Sequence, residues 1–207
     1  MLDSIVWKMY DISYWLMEMI YLNLLWMGFS LIGLLFLGFF PATAAMFAVT
    51  RKWVLGEKEI PVFKIFWKNY KTGFVQTNII GYVSVVAGLI LYIDLQFFRA
   101  SNHLLLSVLA FLIIFALIIY FAVVLYIFPM YVHFKFQTIE YIKQSIIVVI
   151  GKPLNTIMMI VGSYLLYVIF SMIPGLLVFV SGSFGSIVLM WIALKSFPKH
   201  EIEASDI

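Results

Sequence analysis

Uninterrupted apolar runs of about 20 residues, the length that crosses the hydrocarbon core of a bilayer as a helix, occupy positions 20–40, 78–98 and 104–128. A further apolar stretch, 154–197, is too long for one helix. It is broken by Pro174, Gly175 and the run Ser181-Gly182-Ser183-Phe184-Gly185-Ser186, punctuation that divides it into spans over 154–172 and 182–197. The last of these is short, and a re-entrant segment or a helix that begins back at Pro174 are the alternatives. The pattern predicts an all-α, multi-pass transmembrane helical bundle of about five spans, one domain over 1–207, with no long polar stretch to separate a second one.

The polar connections carry helical signals of their own. Pro41 suits the first turn of a helix and Gly56 its end, and Ala42, Ala44, Ala45 and Ala48 between them give small surfaces for close helix contact. This predicts an interfacial helix over 41–55. Pro61 opens a second, over 61–75, in which Lys64, Lys68 and Lys71 share a face while Phe63, Phe66, Trp67, Tyr70 and Phe74 lie about a third of a turn round. A third, over 133–150, alternates His133, Gln137, Glu140 and Gln144 with Phe136, Ile139, Ile142, Ile146 and Ile150 at helical spacing. Near the N-terminus, Trp7, Tyr10, Tyr14 and Trp15 beside Asp3 and Asp11 read as an aromatic interface anchor.

Composition agrees with the pattern. The 207 residues are 65% hydrophobic and 11% charged, with a mean hydropathy of +1.09, more apolar surface than a water-facing domain buries. A net charge of +3 does not point to nucleic acid, because the basic residues fall between the apolar runs, where they set membrane topology. Arg51, Lys52, Lys58, Lys64, Lys68 and Lys71 follow span one, Lys135, Lys143 and Lys152 follow span three, and Lys195 and Lys199 end the chain. Alternation of five spans then predicts an N-terminus outside and a C-terminus in the cytoplasm of a bacterial cell membrane. Ala42-Thr43-Ala44 fits the small-residue pattern of signal cleavage, but acidic residues precede the first run, which exceeds a normal signal core. Cysteine is absent, which removes disulfide and thiolate chemistry.

Candidate chemistry is sparse. His103, His133 and His200 are scattered without ligand spacing, and Ser181-Gly182-Ser183 lacks the first glycine of a nucleophile elbow. No cofactor or metal is expected. Two groups stand out. Glu18, Asn23, Asp94, Arg99 and His103 all project toward the outer rim as an outer polar cluster, with Asp94 about 6 Å inside the end of its span; snorkelling is the plainer reading. Arg51, Lys52, Lys64, Phe66, Trp67, Lys68, Tyr70 and Lys71 form a cytoplasmic surface for anionic headgroups or a partner.

Asn23-Leu24-Leu25-Trp26, Gly33, Gly38 and Pro41-Ala42-Thr43-Ala44-Ala45, followed by Arg51-Lys52-Trp53, Phe63, Phe66-Trp67, Tyr70-Lys71, Phe74, Asn78 and Gly81, resemble the signature of the YesL family of bacterial membrane proteins. The resemblance is dense from Asn23 to about Asp94 and rests on hydropathy beyond. It implies a domain of unknown function, often encoded near carbohydrate importers and glycoside hydrolases, and hence an accessory role beside sugar uptake. The expectation is a non-enzymatic interaction subunit whose partner is a carbohydrate importer subunit. The alternative is a small transporter or channel that uses Asp94 at its entrance; against it, every span lacks an ionisable residue at its midplane.

Overall fold

The computed structural model describes residues 2–57, 59–100 and 104–198. They form seven helices and no strand: α1 (Leu2–Ile32), α2 (Phe39–Val54), α3 (Val62–Arg99), α4 (Leu104–His133), α5 (Glu140–Gly151), α6 (Pro153–Met172) and α7 (Pro174–Ser196). Five of these, α1, α3, α4, α6 and α7, contain stretches long and apolar enough to cross a membrane. In each such stretch only 17–28% of residues are buried within the protein, so most apolar side chains point outward, where acyl chains would cover them.

The first apolar run does not form one helix. Expected as a span over 20–40, it breaks at Ile32, and a turn over 33–38 sends α2 back along α1. Glycine makes the turn this tight. A Cβ on Gly33 would lie 2.3 Å from the Gly38 Cα, and one on Gly38 would lie 2.5 Å from the Phe29 carbonyl oxygen. The turn satisfies its own N–H groups, with Gly33 N donating to Phe29 O, Leu35 N to Ser30 O and Gly38 N to Gly33 O at 2.9–3.2 Å. Two carbonyls are reached from α3: Asn78 Nδ2 donates to Leu37 O at 3.0 Å and Tyr82 Oη to Phe36 O at 2.6 Å.

Nor is the expected helix over 41–55 interfacial. In α2, Pro41, Ala42 and every residue from Ala44 to Thr50 are buried, and a helix buried all round belongs to a core rather than a surface. Its alanines allow close approach, as their spacing foretold. Leu22 of α1, Ala42, Ala45, Met46 and Val49 of α2, and Val62, Phe66 and Tyr70 of α3 make one apolar cluster. A second joins the other helices through Ile80, Tyr126, Met130, Tyr141, Met159 and Ile192.

The segments expected at 61–75 and 78–98 are continuous. Nothing between Phe74 and Asn78 stops a helix, and α3 runs for 38 residues, about 57 Å. Similarly α4 extends past 128 to His133 with Pro129 inside it, and α7 begins at Pro174 and continues through the Ser-Gly run, the alternative foreseen for the last stretch. The helix expected over 133–150 is only α5. Its buried side is Tyr141, Ser145 and Val149, whereas Ile139, Ile146 and Ile150, expected on its inner side, are exposed. Tyr141 Oη donates to Phe134 O and accepts from Phe136 N. Burial raises its pKa above the ordinary value, outweighing the opposing pull of the Phe136 N–H, so it remains a donor.

The reversal at 33–38 also relocates the chain ends. Tyr10, Tyr14 and Glu18 of α1 border a cleft with Trp53, Glu57, Glu59 and Ile60. Two residues before Trp53, Arg51 Nε donates to Nδ1 of His133, the last residue of α4, at 3.0 Å. The His133 ring stacks on Phe197, just beyond α7, at 5.1 Å. Residues 10–18 of α1, the α2–α3 connection, the end of α4 and the end of α7 thus lie at one end of the bundle. Five alternating crossings would have put the two chain ends apart; the return of α2 adds a reversal that a hydropathy count does not register. The aromatic anchor of α1 accordingly lies at the same end as Arg51.

A Cβ on Gly81 would fall 2.3 Å from the Phe40 ring, whereas nothing lies within 4 Å of one on Gly151. Gly81→Ala is therefore expected to cost about 1–3 kcal/mol through overpacking at the α2–α3 contact. Gly151→Ala is expected to leave the thermal midpoint in detergent unlowered.

Candidate functional site

The residues expected to form one cytoplasmic surface divide into two groups. Val62, Phe66 and Tyr70, four apart, turn inward and are buried, Phe66 completely. Phe29 of α1 meets the rings of Phe66, Trp67 and Tyr70 at 5.1–5.4 Å. Phe66 and Tyr70 are thus core, not docking residues. Phe63, Lys64, Trp67, Lys68 and Lys71 form the opposite, exposed stripe, with the Lys71 ammonium 4.8 Å from the centre of the Trp67 ring. Arg51 is half-buried and engaged with His133. Lys52 pairs with Glu57 at 2.7 Å, an exposed bridge of small energetic worth.

The outer polar cluster does not assemble. Glu18 lies beside Pro61, Val62 and Lys64 at the start of α3 and accepts a hydrogen bond from Tyr14 Oη at 3.1 Å. Asp94 and Arg99 are in the last turns of the same helix, and the 30 residues from Lys64 to Asp94 correspond to about 45 Å of rise. The expectation failed because it placed Glu18 and Asn23 at the outer end of a first span that instead begins at the basic end. His103 lies outside the described residues.

Asn23 does something else. Its side chain is buried against α7, where Nδ2 donates to Val178 O at 2.7 Å and Oδ1 accepts from Gly182 N at 3.0 Å and Ser183 N at 3.2 Å. Val178 O and Gly182 N are partners in an unbroken helical ladder, so the amide engages both ends of one rung. Gly182 makes room: a Cβ there would sit 2.7 Å from Asn23 Oδ1. The Ser-Gly run is thus the receptor for Asn23, which explains its small residues without a nucleophile. Trp26 adds a second link, donating from Nε1 to Thr43 Oγ1 at 3.0 Å.

Sequence reasoning missed three features. His133 was read as a polar position of a surface helix, yet it is buried at the junction of α2, α4 and the end of α7. Asn78 stood out only as a signature position at the start of a span and Tyr82 not at all, although polar groups at that depth signal a partner in an apolar environment. The third is a cleft of about 1030 Å³ at the basic end, walled by Tyr10, Tyr14, Trp15 and Trp53 and containing Glu18, Glu57 and Glu59. Among the described residues, no three of His, Asp and Glu converge as metal ligands would.

Interhelical hydrogen bonds within membranes contribute on the order of 0.6 kcal/mol each, with a maximum near 1.7. Asn23→Ala is expected to lower stability by about 1–2 kcal/mol, since α7 can close its own rung once the amide is gone. Gly182→Val should cost more by displacing α1 from α7. Thermal unfolding in detergent measures both.

The residues that carry these contacts are those that resemble a known signature, and comparison with known proteins agrees. A family model described as "Protein of unknown function, DUF624" matches residues 19–95. Over 181 residues the chain is 37% identical to the uncharacterized protein YteU of Bacillus subtilis (strain 168), covering 87% of this chain and 81% of that one. It is 35% identical to the uncharacterized protein YesV and 34% identical to the uncharacterized protein YesL of the same organism, each over 88% of this chain and 88% and 86% of theirs. No solved structure matches. With its signature residues at the α1–α2–α3 contacts and its relatives matched over most of their length, the chain belongs to the YesL-like DUF624 family of proteins of unknown function.

Proposed function

We propose that this protein is a non-enzymatic interaction subunit of a bacterial cell membrane, and that its basic end faces the cytoplasm and docks on another membrane protein among anionic headgroups. The observation that carries the reading is the exposed stripe Phe63, Lys64, Trp67, Lys68 and Lys71. The buried Val62, Phe66 and Tyr70 on the other side of the same helix anchor it to α1 and α2. A cationic and aromatic surface held this rigidly binds with little ordering cost, and each lysine near an anionic leaflet contributes roughly 1 kcal/mol.

Charge supports the orientation. Among the described residues, Arg99 is the one Lys or Arg that belongs to a connection at the opposite end, the bias that cytoplasmic connections show. A carbohydrate importer subunit is the partner class that the family resemblance brings forward. A carrier entered at Asp94 has less to support it, because Glu18 and Asn23 lie elsewhere.

Capture of the tagged full-length chain in mild detergent from cells grown on an inducing sugar should co-elute an importer membrane component. Reversal of Lys64, Lys68 and Lys71 to Glu should reduce that yield at least about tenfold, given roughly 1 kcal/mol per charge. Absence of any importer component with the unaltered chain would overturn the partner assignment.

A further inference from the structure

We infer that α1 and α2 do not cross the bilayer but form a re-entrant hairpin, which enters from the basic end, turns at 33–38 among the acyl chains and returns. Three observations converge on this. On α3, the uncharged stretch between Lys71 and Asp94 is about 33 Å long, close to the thickness of a hydrocarbon core. Asn78 and Tyr82, which hold the turn, lie about 10 and 16 Å into it from Lys71 and about 18–24 Å short of Asp94. The turn is therefore deep in the core and well short of the far face.

The hairpin arms give the same depth. From Glu18 to the end of α1 the uncharged segment 19–32 rises about 21 Å, and from Phe39 to Thr50, just before Arg51, α2 rises about 18 Å. Counted from Glu18 and up to Arg51, neither arm reaches the roughly 30 Å that a crossing needs; the longer apolar stretch Ile12–Ile32 would span only with Glu18 inside the core.

The third observation is the part of the α3–α4 pair that lies beyond the turn. Val83, Val86, Leu89, Ile90 and Ile93 on α3 are 48–62% exposed, and Leu104, Leu105, Phe111 and Phe115 on α4 are 63–82% exposed. If the turn lay at the far membrane face, about 25 Å of this apolar pair would stand in water. Lowering the turn into the core returns it to lipid.

The tip is suited to its place. Leu34 and Phe36 are 78% and 77% exposed, apolar side chains that acyl chains would cover. Irregular backbone survives at that depth only when its polar groups are satisfied by protein, which is what Asn78, Tyr82 and the internal bonds of the turn accomplish. The assignment concerns depth alone and does not depend on which compartment the basic end faces. It leaves α3, α4, α6 and α7 as crossings and both chain ends on one side.

The absence of native cysteine makes the test direct. Single variants Tyr10→Cys, Phe36→Cys, Lys64→Cys and Ala100→Cys are exposed to a membrane-impermeant maleimide in right-side-out and in inverted vesicles. Tyr10→Cys and Lys64→Cys should react from one side, Ala100→Cys from the other, and Phe36→Cys from neither. A nitroxide attached at position 36 should be relaxed by dissolved oxygen far more than by an aqueous nickel chelate, which separates lipid exposure from burial in protein. Reaction of Tyr10→Cys from the Ala100 side, reaction of Phe36→Cys from either side, or nickel relaxation at position 36 would each overturn the hairpin. Reaction of Lys64→Cys from the outside would instead refute the cytoplasmic orientation and leave the hairpin intact.

Discussion

The architecture depends on one constraint: backbone polar groups held in apolar surroundings need partners within the protein. The chain reverses at 33–38 in a segment whose side chains are almost all apolar. Such a turn is stable only because Asn78 and Tyr82 reach its carbonyls from α3 and its own amides close inward. Leu34 and Leu35 adopt positive φ angles of 56° and 63°, a region that non-glycine residues seldom occupy. That cost is borne by the surrounding hydrogen bonds and by the tight Gly33–Gly38 contact. From this reversal follow the burial of α2, the contact of α1 with α7 and the placing of the N-terminal half of α1 and the end of α7 at the basic end.

The family signature acquires a physical meaning in this light. Asn23 and Trp26 tie α1 to α7 and α2, Gly33 and Gly38 close the turn, and Pro41 to Ala45 form the part of α2 that allows close packing. Phe66 and Tyr70 fill the space between α1 and α3, and Asn78 and Gly81 receive the turn and the Phe40 ring. These positions specify how three helices meet.

Division of labour within α3 is the clearest case. One helix supplies core on its inner side through Val62, Phe66 and Tyr70, a basic and aromatic stripe on its outer side through Lys64, Trp67 and Lys68, and a hydrogen-bonding support for the turn further along. Because the inner side is locked by aromatic contacts, the outer stripe is presented in a fixed register. Lys195 over the Trp191 ring at 3.2 Å places a second cation on an aromatic base near the end of α7.

By itself the sequence determined the helical class, the presence of segments long and apolar enough to cross a membrane, and the family, because these follow from local hydropathy, from length and from a residue signature. It also determined that Lys and Arg flank the apolar runs, since charge needs only position along the chain to be read. Tertiary structure alone decided that the first run reverses, that the alanine helix is core, that the lysine helix continues into a span, and that Glu18, Asn23 and Asp94 do not meet. A reversal inside an apolar run has no hydropathic mark: Leu34 to Leu37 are as apolar as the helix before them, and Gly33 and Gly38 recur in helices that pack closely. What turns the chain is the side-chain amide of Asn78 and the hydroxyl of Tyr82, more than 40 residues away, and such a contact exists only once the helices have come together.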